Sequence, residues 1–159
     1  MGRTSRTALI LTVLTIAGVS ASGVVLIGGL RSSQSAASTP PAVALPAGCT
    51  RPAGGFLIIE SEYGYNDSVL QGAGPTKAWP VINVTQGQEV NITVCNADRS
   101  QSHGFQISNY YDSKVESLGP GQVLSISFVA NKLGTFQIYC AIFCTIHLFM
   151  EYGQLRVSP

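Results

Sequence analysis

The strongest constraint on this fold is a hydrophobic period of two. Val90, Ile92 and Val94 alternate with Asn91 and Thr93, and Ile126 and Phe128 repeat the pattern against Ser125 and Ser127. Successive side chains of a strand point to opposite faces, so such runs bury one face and wet the other. No stretch after Leu30 has the length and the three-to-four-residue spacing that a helix would need. The runs predicted as strands are Phe56 to Tyr63, Val81 to Thr85, Glu89 to Cys95, Gly104 to Ser108, Val123 to Val129, Thr135 to Tyr139 and Gly153 to Val157. Thr85-Gln86-Gly87-Gln88, Gly119-Pro120-Gly121-Gln122 and Asn131-Lys132-Leu133-Gly134 separate them as turn sequences. Short alternating strands punctuated in this way predict an all-β sandwich or barrel.

The first residues follow a different pattern. From Thr7 to Leu30 no residue is charged, and Arg3, Arg6 and Arg31 flank the run. As a helix it would extend about 36 Å, enough to cross a hydrocarbon layer of roughly 30 Å with some tilt. The reading is an N-terminal transmembrane anchor over residues 1–31, with Arg3 and Arg6 in the cytoplasm and the remainder outside the cell. A cleaved signal peptide is the alternative, with Val19-Ser20-Ala21-Ser22 near a cut. The apolar run continues past that point through Val24-Val25-Leu26-Ile27, which favours retention. Residues 32–47 are rich in Ser, Ala and Pro and read as a linker, leaving residues 48–159 as the folded domain.

Within that domain six basic residues (Arg51, Lys77, Arg99, Lys114, Lys132, Arg156) face all eight acidic residues of the chain. Nothing in this balance supplies the basic patch that a nucleic-acid partner requires. Cys49 and Cys95 stand apart from the other two cysteines, and outside the cytoplasm they are either a disulfide or two buried thiols.

The remaining chemistry is concentrated in one segment, Tyr-Cys-Ala-Ile-Phe-Cys-Thr-Ile-His-Leu-Phe-Met from Tyr139 to Met150, together with His103. Cys140, Cys144, His103, His147 and Met150 include both histidines of the chain and its only internal methionine. Thiolate, imidazole and thioether form a donor set that suits copper better than magnesium, calcium or manganese. Other readings stay open at this point. Cys140 and Cys144 are also spaced for a disulfide, as in an exported sandwich whose cysteines are all paired, and two cysteines with two histidines also suit zinc, leaving Met150 without a role.

From Asp98 to the end the chain resembles the copper-binding domain of subunit II of heme-copper oxidases, a cupredoxin with a binuclear CuA centre. The resemblance rests on Asp98, His103-Gly104-Phe105, Gly119-Pro120-Gly121, Gly134-Thr135-Phe136, and then Cys140, Cys144, His147, Met150 and Gly153. It implies a cupredoxin-like Greek-key β-sandwich behind one N-terminal transmembrane helix. By this resemblance Cys140 and Cys144 bridge two coppers, His103 and Met150 complete one, and His147 with the backbone carbonyl of Ile142 completes the other.

Two departures stand out. The family's spacing is Cys-x3-Cys-x3-His-x2-Met, whereas only Thr145 and Ile146 separate Cys144 from His147, and two extra residues separate Asp98 from His103. Cys144-x2-His147-x2-Met150 also matches some mononuclear blue-copper proteins. Against one copper, Cys140 already follows directly on the penultimate strand, and a one-copper site has no use for Cys144.

The resemblance further implies a membrane-bound electron carrier facing the extracytoplasmic side, which passes electrons from a soluble cytochrome or blue-copper donor to the catalytic subunit of a terminal oxidase. The alternative is a stand-alone mononuclear cupredoxin that carries electrons or copper. The chain has no Cys-x-x-Cys-His heme motif and no oxygen-reducing site of its own. Asp98, the nearest acid to His103 in sequence, is a candidate to orient its imidazole. Tyr63 and Tyr65 either line an entry surface for the donor or pack the sandwich.

Overall fold

Nine strands form two facing sheets in the computed structural model, which describes residues 44–159. The proposed anchor and the linker up to residue 43 lie outside the described residues, among which no helix is long and apolar enough to cross a membrane. In chain order the strands are β1 (Phe56–Ser61), β2 (Gly64–Tyr65), β3 (Val81–Thr85), β4 (Glu89–Asn96), β5 (His103–Ile107), β6 (Tyr111–Leu118), β7 (Val123–Val129), β8 (Gly134–Tyr139) and β9 (Gly153–Ser158). One sheet has the order β2-β1-β4-β7 and the other β3-β9-β8-β5-β6. Neighbours are antiparallel except for β1 with β4 and β3 with β9, so the chain passes repeatedly from one sheet to the other.

The period of two has its predicted consequence in β4, where Val90, Ile92 and Val94 are buried against Ile58, Phe105, Ile138 and Leu155 between the sheets. Each fully buried side chain of this size contributes about 1.5–3 kcal/mol. The predicted first strand is broken: β1 ends at Ser61, and the chain turns through Glu62 and Tyr63 into β2, with Gly64 at φ +87°. One strand was absent from the sequence reading. β6, Tyr-Asp-Ser-Lys-Val-Glu-Ser-Leu, lies at the edge of its sheet and is largely exposed, so it carries charge instead of an apolar stripe. It pairs with β5 across a bulge between Phe105 and Ile107, where Gln106 Nε2 donates to the carbonyl of Lys114.

The open question about Cys49 and Cys95 is resolved as a disulfide with Cα atoms 5.7 Å apart. It ties the entering chain to β4 one residue before that strand ends at Asn96.

Candidate metal centre

β5, β8 and the loop between β8 and β9 bring the predicted donors to one end of the sandwich. His103 is the first residue of β5, paired in register with Leu118, one residue before the predicted start of this strand at Gly104. Cys140 follows β8 directly, and its amide donates to the carbonyl of Met150 at 2.8 Å, closing residues 140–150 into a ring of backbone. Inside that ring a single 3₁₀ turn, His147–Phe149, sets His147, and the Met150 amide donates to the His147 carbonyl.

Gly104 lets β5 approach the loop. A Cβ there would lie 2.8 Å from the Ala141 nitrogen and 2.9 Å from that of Ile142, and the Gly104 amide donates to Cys140 Sγ at 3.1 Å. Gln101 laces the two segments together, its amide nitrogen donating to Thr145 Oγ1 and its oxygen accepting from the Thr145 backbone. Tyr65 is fully buried, packs edge-on against Phe105 and donates to the Gly104 carbonyl at 2.6 Å. It therefore supports the site from within and lines no entry surface.

Cys140 and Cys144 are free and buried, with their sulfurs 3.9 Å apart, so the disulfide alternative for this pair is not realised. Donor atoms of His103, Cys140 and Cys144 lie within 4.8 Å of one another, and Met150 Sδ is 3.9 Å from Cys144 Sγ. The Ile142 carbonyl accepts from Cys140 Sγ at 3.0 Å, so it too faces the sulfurs. His147 stands outside the group formed by His103 and the two thiols. Two sulfurs on one tetrahedral ion at about 2.3 Å each would be about 3.8 Å apart, so the sulfur separation alone suits one shared ion or two.

Both imidazoles are arranged alike. His103 Nε2 is 3.1 Å from Asp98 Oδ2, and His147 Nε2 is 2.7 Å from Glu151 Oε1. Burial works against the Asp98 charge, but the amides of Ser100 and Gln101, His103 and the Ser100 hydroxyl together hold its carboxyl below the ordinary value. An ionised carboxylate only accepts, so the proton belongs on His103 Nε2 and the lone pair on Nδ1. Nδ1 of each histidine is buried and has no hydrogen-bond partner. A buried acceptor left unpaired costs free energy unless something completes it, and a metal ion is such a partner.

Burial pushes the thiols up, Cys140 above its ordinary value and Cys144, with the neighbouring Cys140 adding to the effect, to about 12. Both are neutral thiols at pH 7 without a metal, and an ion that binds them must displace their protons. Burial also lowers the His103 pKa despite Asp98, which keeps the ring neutral and able to ligate.

Glu60 escaped the sequence reading. It shares the inward face of β1 with Ile58, has neither carboxylate oxygen paired, and burial raises its pKa well above the usual range. The outer rim of the loop is apolar, with Phe143 90% and Leu148 68% exposed beside His147.

No family model matches this chain. Among curated proteins it is similar to the nitrous-oxide reductase of Stutzerimonas stutzeri, 40% identical over 81 residues that make up 49% of this chain and 12% of that protein. It is also 40% identical to the nitrous-oxide reductase of Pseudomonas fluorescens over 92 residues, 56% of this chain and 14% of that one. The chain thus matches only a small part of the length of these relatives. Two solved structures match with a TM-score of 0.50 over 66% of this chain: the multicopper oxidase mgLAC, at 19% identity over 38% of its chain, and the copper-containing nitrite reductase of Thermus scotoductus SA-01, at 22% identity over 27%. The fold is a cupredoxin-like sandwich. In this cupredoxin-type domain His103, Cys140, Cys144 and Met150 are gathered at the end where β5 begins and β8 finishes.

Proposed function

We propose that this domain is a copper electron-transfer centre of the binuclear CuA type. The observation that carries the reading is His103 clustered with two free thiols, with the Met150 thioether beside Cys144 and the Nδ1 atom of each histidine buried and unpartnered. Cys140 and Cys144 would bridge, His103 with Met150 would hold one ion, and His147 with the Ile142 carbonyl the other. Copper bound there supplies a one-electron couple. The protein's own contribution is a rigid frame: the amide-held Asp98, the Gly104 donor and the Cys140–Met150 backbone bond limit rearrangement when charge changes.

The chain is then an electron port without catalysis of its own, held in the membrane by residues 1–31 with its copper domain on the extracytoplasmic side. Its donor is a soluble cytochrome or blue-copper protein, and its acceptor the catalytic subunit of a terminal oxidase, as the likeness to oxidase subunit II implies. The exposed Phe143 and Leu148 beside half-buried His147 support electron exchange at this rim. The nitrous-oxide reductases among its relatives favour a second acceptor, a reductase of nitrogen oxides. A mononuclear centre, favoured by the Cys144-x2-His147 spacing, is the remaining alternative.

Copper analysis and electron paramagnetic resonance test the reading. Two coppers per chain with a multi-line mixed-valence spectrum are expected, and Cys144→Ser should abolish that spectrum. One copper per chain with four hyperfine lines would overturn the binuclear assignment, and no copper would overturn both. Heme-containing subunits recovered with the chain from detergent-solubilised membranes would support the oxidase acceptor, and their absence would count against it.

A further inference from the structure

The two carboxylate–imidazole pairs are unequal. Asp98 is buried and accepts from the Ser100 amide, the Ser100 hydroxyl and the Gln101 amide as well as facing His103, so its position is determined without the histidine. Glu151 is about a third exposed and its carboxylate has one partner, Nε2 of His147 at 2.7 Å. What places Glu151 is its backbone: it follows Met150, whose amide is bonded to His147, and its own carbonyl accepts from Gln137 Nε2 of β8 at 2.6 Å. Two fixed points therefore hold its side chain against the imidazole.

His147 needs such a restraint more than His103 does. His103 begins a strand whose five residues are all buried, whereas His147 stands in a 3₁₀ turn with no buried residue. Only two residues separate it from Cys144, and its amide bonds to the Cys144 carbonyl at 3.2 Å, so the backbone sets where the ring starts. The backbone does not set rotation of the ring about its own bonds. The Phe143 ring lies 6.3 Å away, tilted by 33° to the imidazole. With Nε2 directed at Glu151, Nδ1 is turned into the protein, where it is buried and unpaired.

We propose that Glu151 is a positioning residue for His147: its carboxylate fixes the ring so that the bare Nδ1 is turned into the protein, and strengthens that nitrogen as a donor. The inference rests on the copper reading for its functional consequence, but the ring restraint itself requires no metal. A stronger imidazole donor stabilises the more highly charged, oxidised ion, so loss of the carboxylate should raise the reduction potential.

The test compares full-length wild type with Glu151→Ala and Glu151→Gln. After copper loading, retention against a competing chelator should fall about tenfold to hundredfold in Glu151→Ala, within the span typical for lost partners of ligating histidines. A tenfold loss confined to the oxidised state would raise the potential by about 59 mV. Glu151→Gln keeps an acceptor oxygen without the charge, so it should recover most of the retention while its potential stays raised. Retention within twofold of wild type and an unchanged potential in both variants would overturn the proposal. The metal-free proteins supply an independent measurement. The nitrogen resonances of His147 should report one Nε2–H form with a slowly exchanging proton in wild type, and averaged forms in Glu151→Ala. Identical His147 spectra in all three would also overturn the proposal. If wild type takes up no copper, the copper reading fails, and the nitrogen spectra still decide whether Glu151 holds the ring.

Discussion

Replacing both Cys49 and Cys95 with alanine should cost a large part of the domain's stability without touching the metal donors. The bridge joins residues 46 apart in sequence, and closing a loop of that length removes unfolded-chain entropy equivalent to about 4 kcal/mol at 25 °C. Cys95 is fully buried in β4, and alanine keeps its Cβ, so the packing change is one sulfur atom on each side. For about 116 described residues the unfolding entropy is roughly 0.24 kcal/mol/K, so the loss corresponds to a Tm lower by about 16 °C. Calorimetry of the metal-free protein at pH 7 measures it directly, and urea unfolding should locate the effect in the unfolded state as a steeper dependence on denaturant. A Tm drop under about 4 °C, equivalent to about 1 kcal/mol, would refute the argument that this bridge restrains the open chain.

Gly104→Ala should displace the metal loop, because the added methyl meets the backbone nitrogens of Ala141 and Ile142. The expected loss is about 1–3 kcal/mol together with impaired copper retention, and a variant with wild-type retention and Tm would show that the loop yields freely. Tyr65→Phe removes the bond to the Gly104 carbonyl and should cost about 1 kcal/mol in urea unfolding; no loss would mean that the carbonyl is satisfied elsewhere. Burial raises the Glu60 pKa, whereas an unfolded glutamate ionises at about pH 4.3. The folded state then binds more protons above that pH, so its stability falls as pH rises toward the folded pKa. Glu60→Gln removes this slope, so it should be more stable than wild type at pH 7 and equal to it near pH 4; the same difference at both values would refute the assignment.

Much of the architecture was legible because burial imposes a period of two on strands that face the core. Val90, Ile92 and Val94 declare β4, and Ile126 and Phe128 identify β7. The same rule hid β6, since an edge strand exposed to water has no apolar side to reveal. It also concealed Glu60: alternation puts residue 60 on the same face as Ile58, but a charged residue reads as outward by its chemistry alone. The donor set was legible for a different reason, because thiols, imidazoles and a thioether are few and their spacing is local from Cys140 to Met150.

The order of residues thus determined which strands form, which side chains can bind a soft ion, and how short the path is from Cys144 to His147. Tertiary structure decided what depends on distance between segments remote along the chain: that Cys49 meets Cys95, that Tyr65 supports Gly104, and that His103 reaches the sulfurs of Cys140 and Cys144. Periodicity constrains the direction in which a side chain leaves its own strand, but the atom it meets there is set by how the two sheets pack and how the loop between β8 and β9 closes.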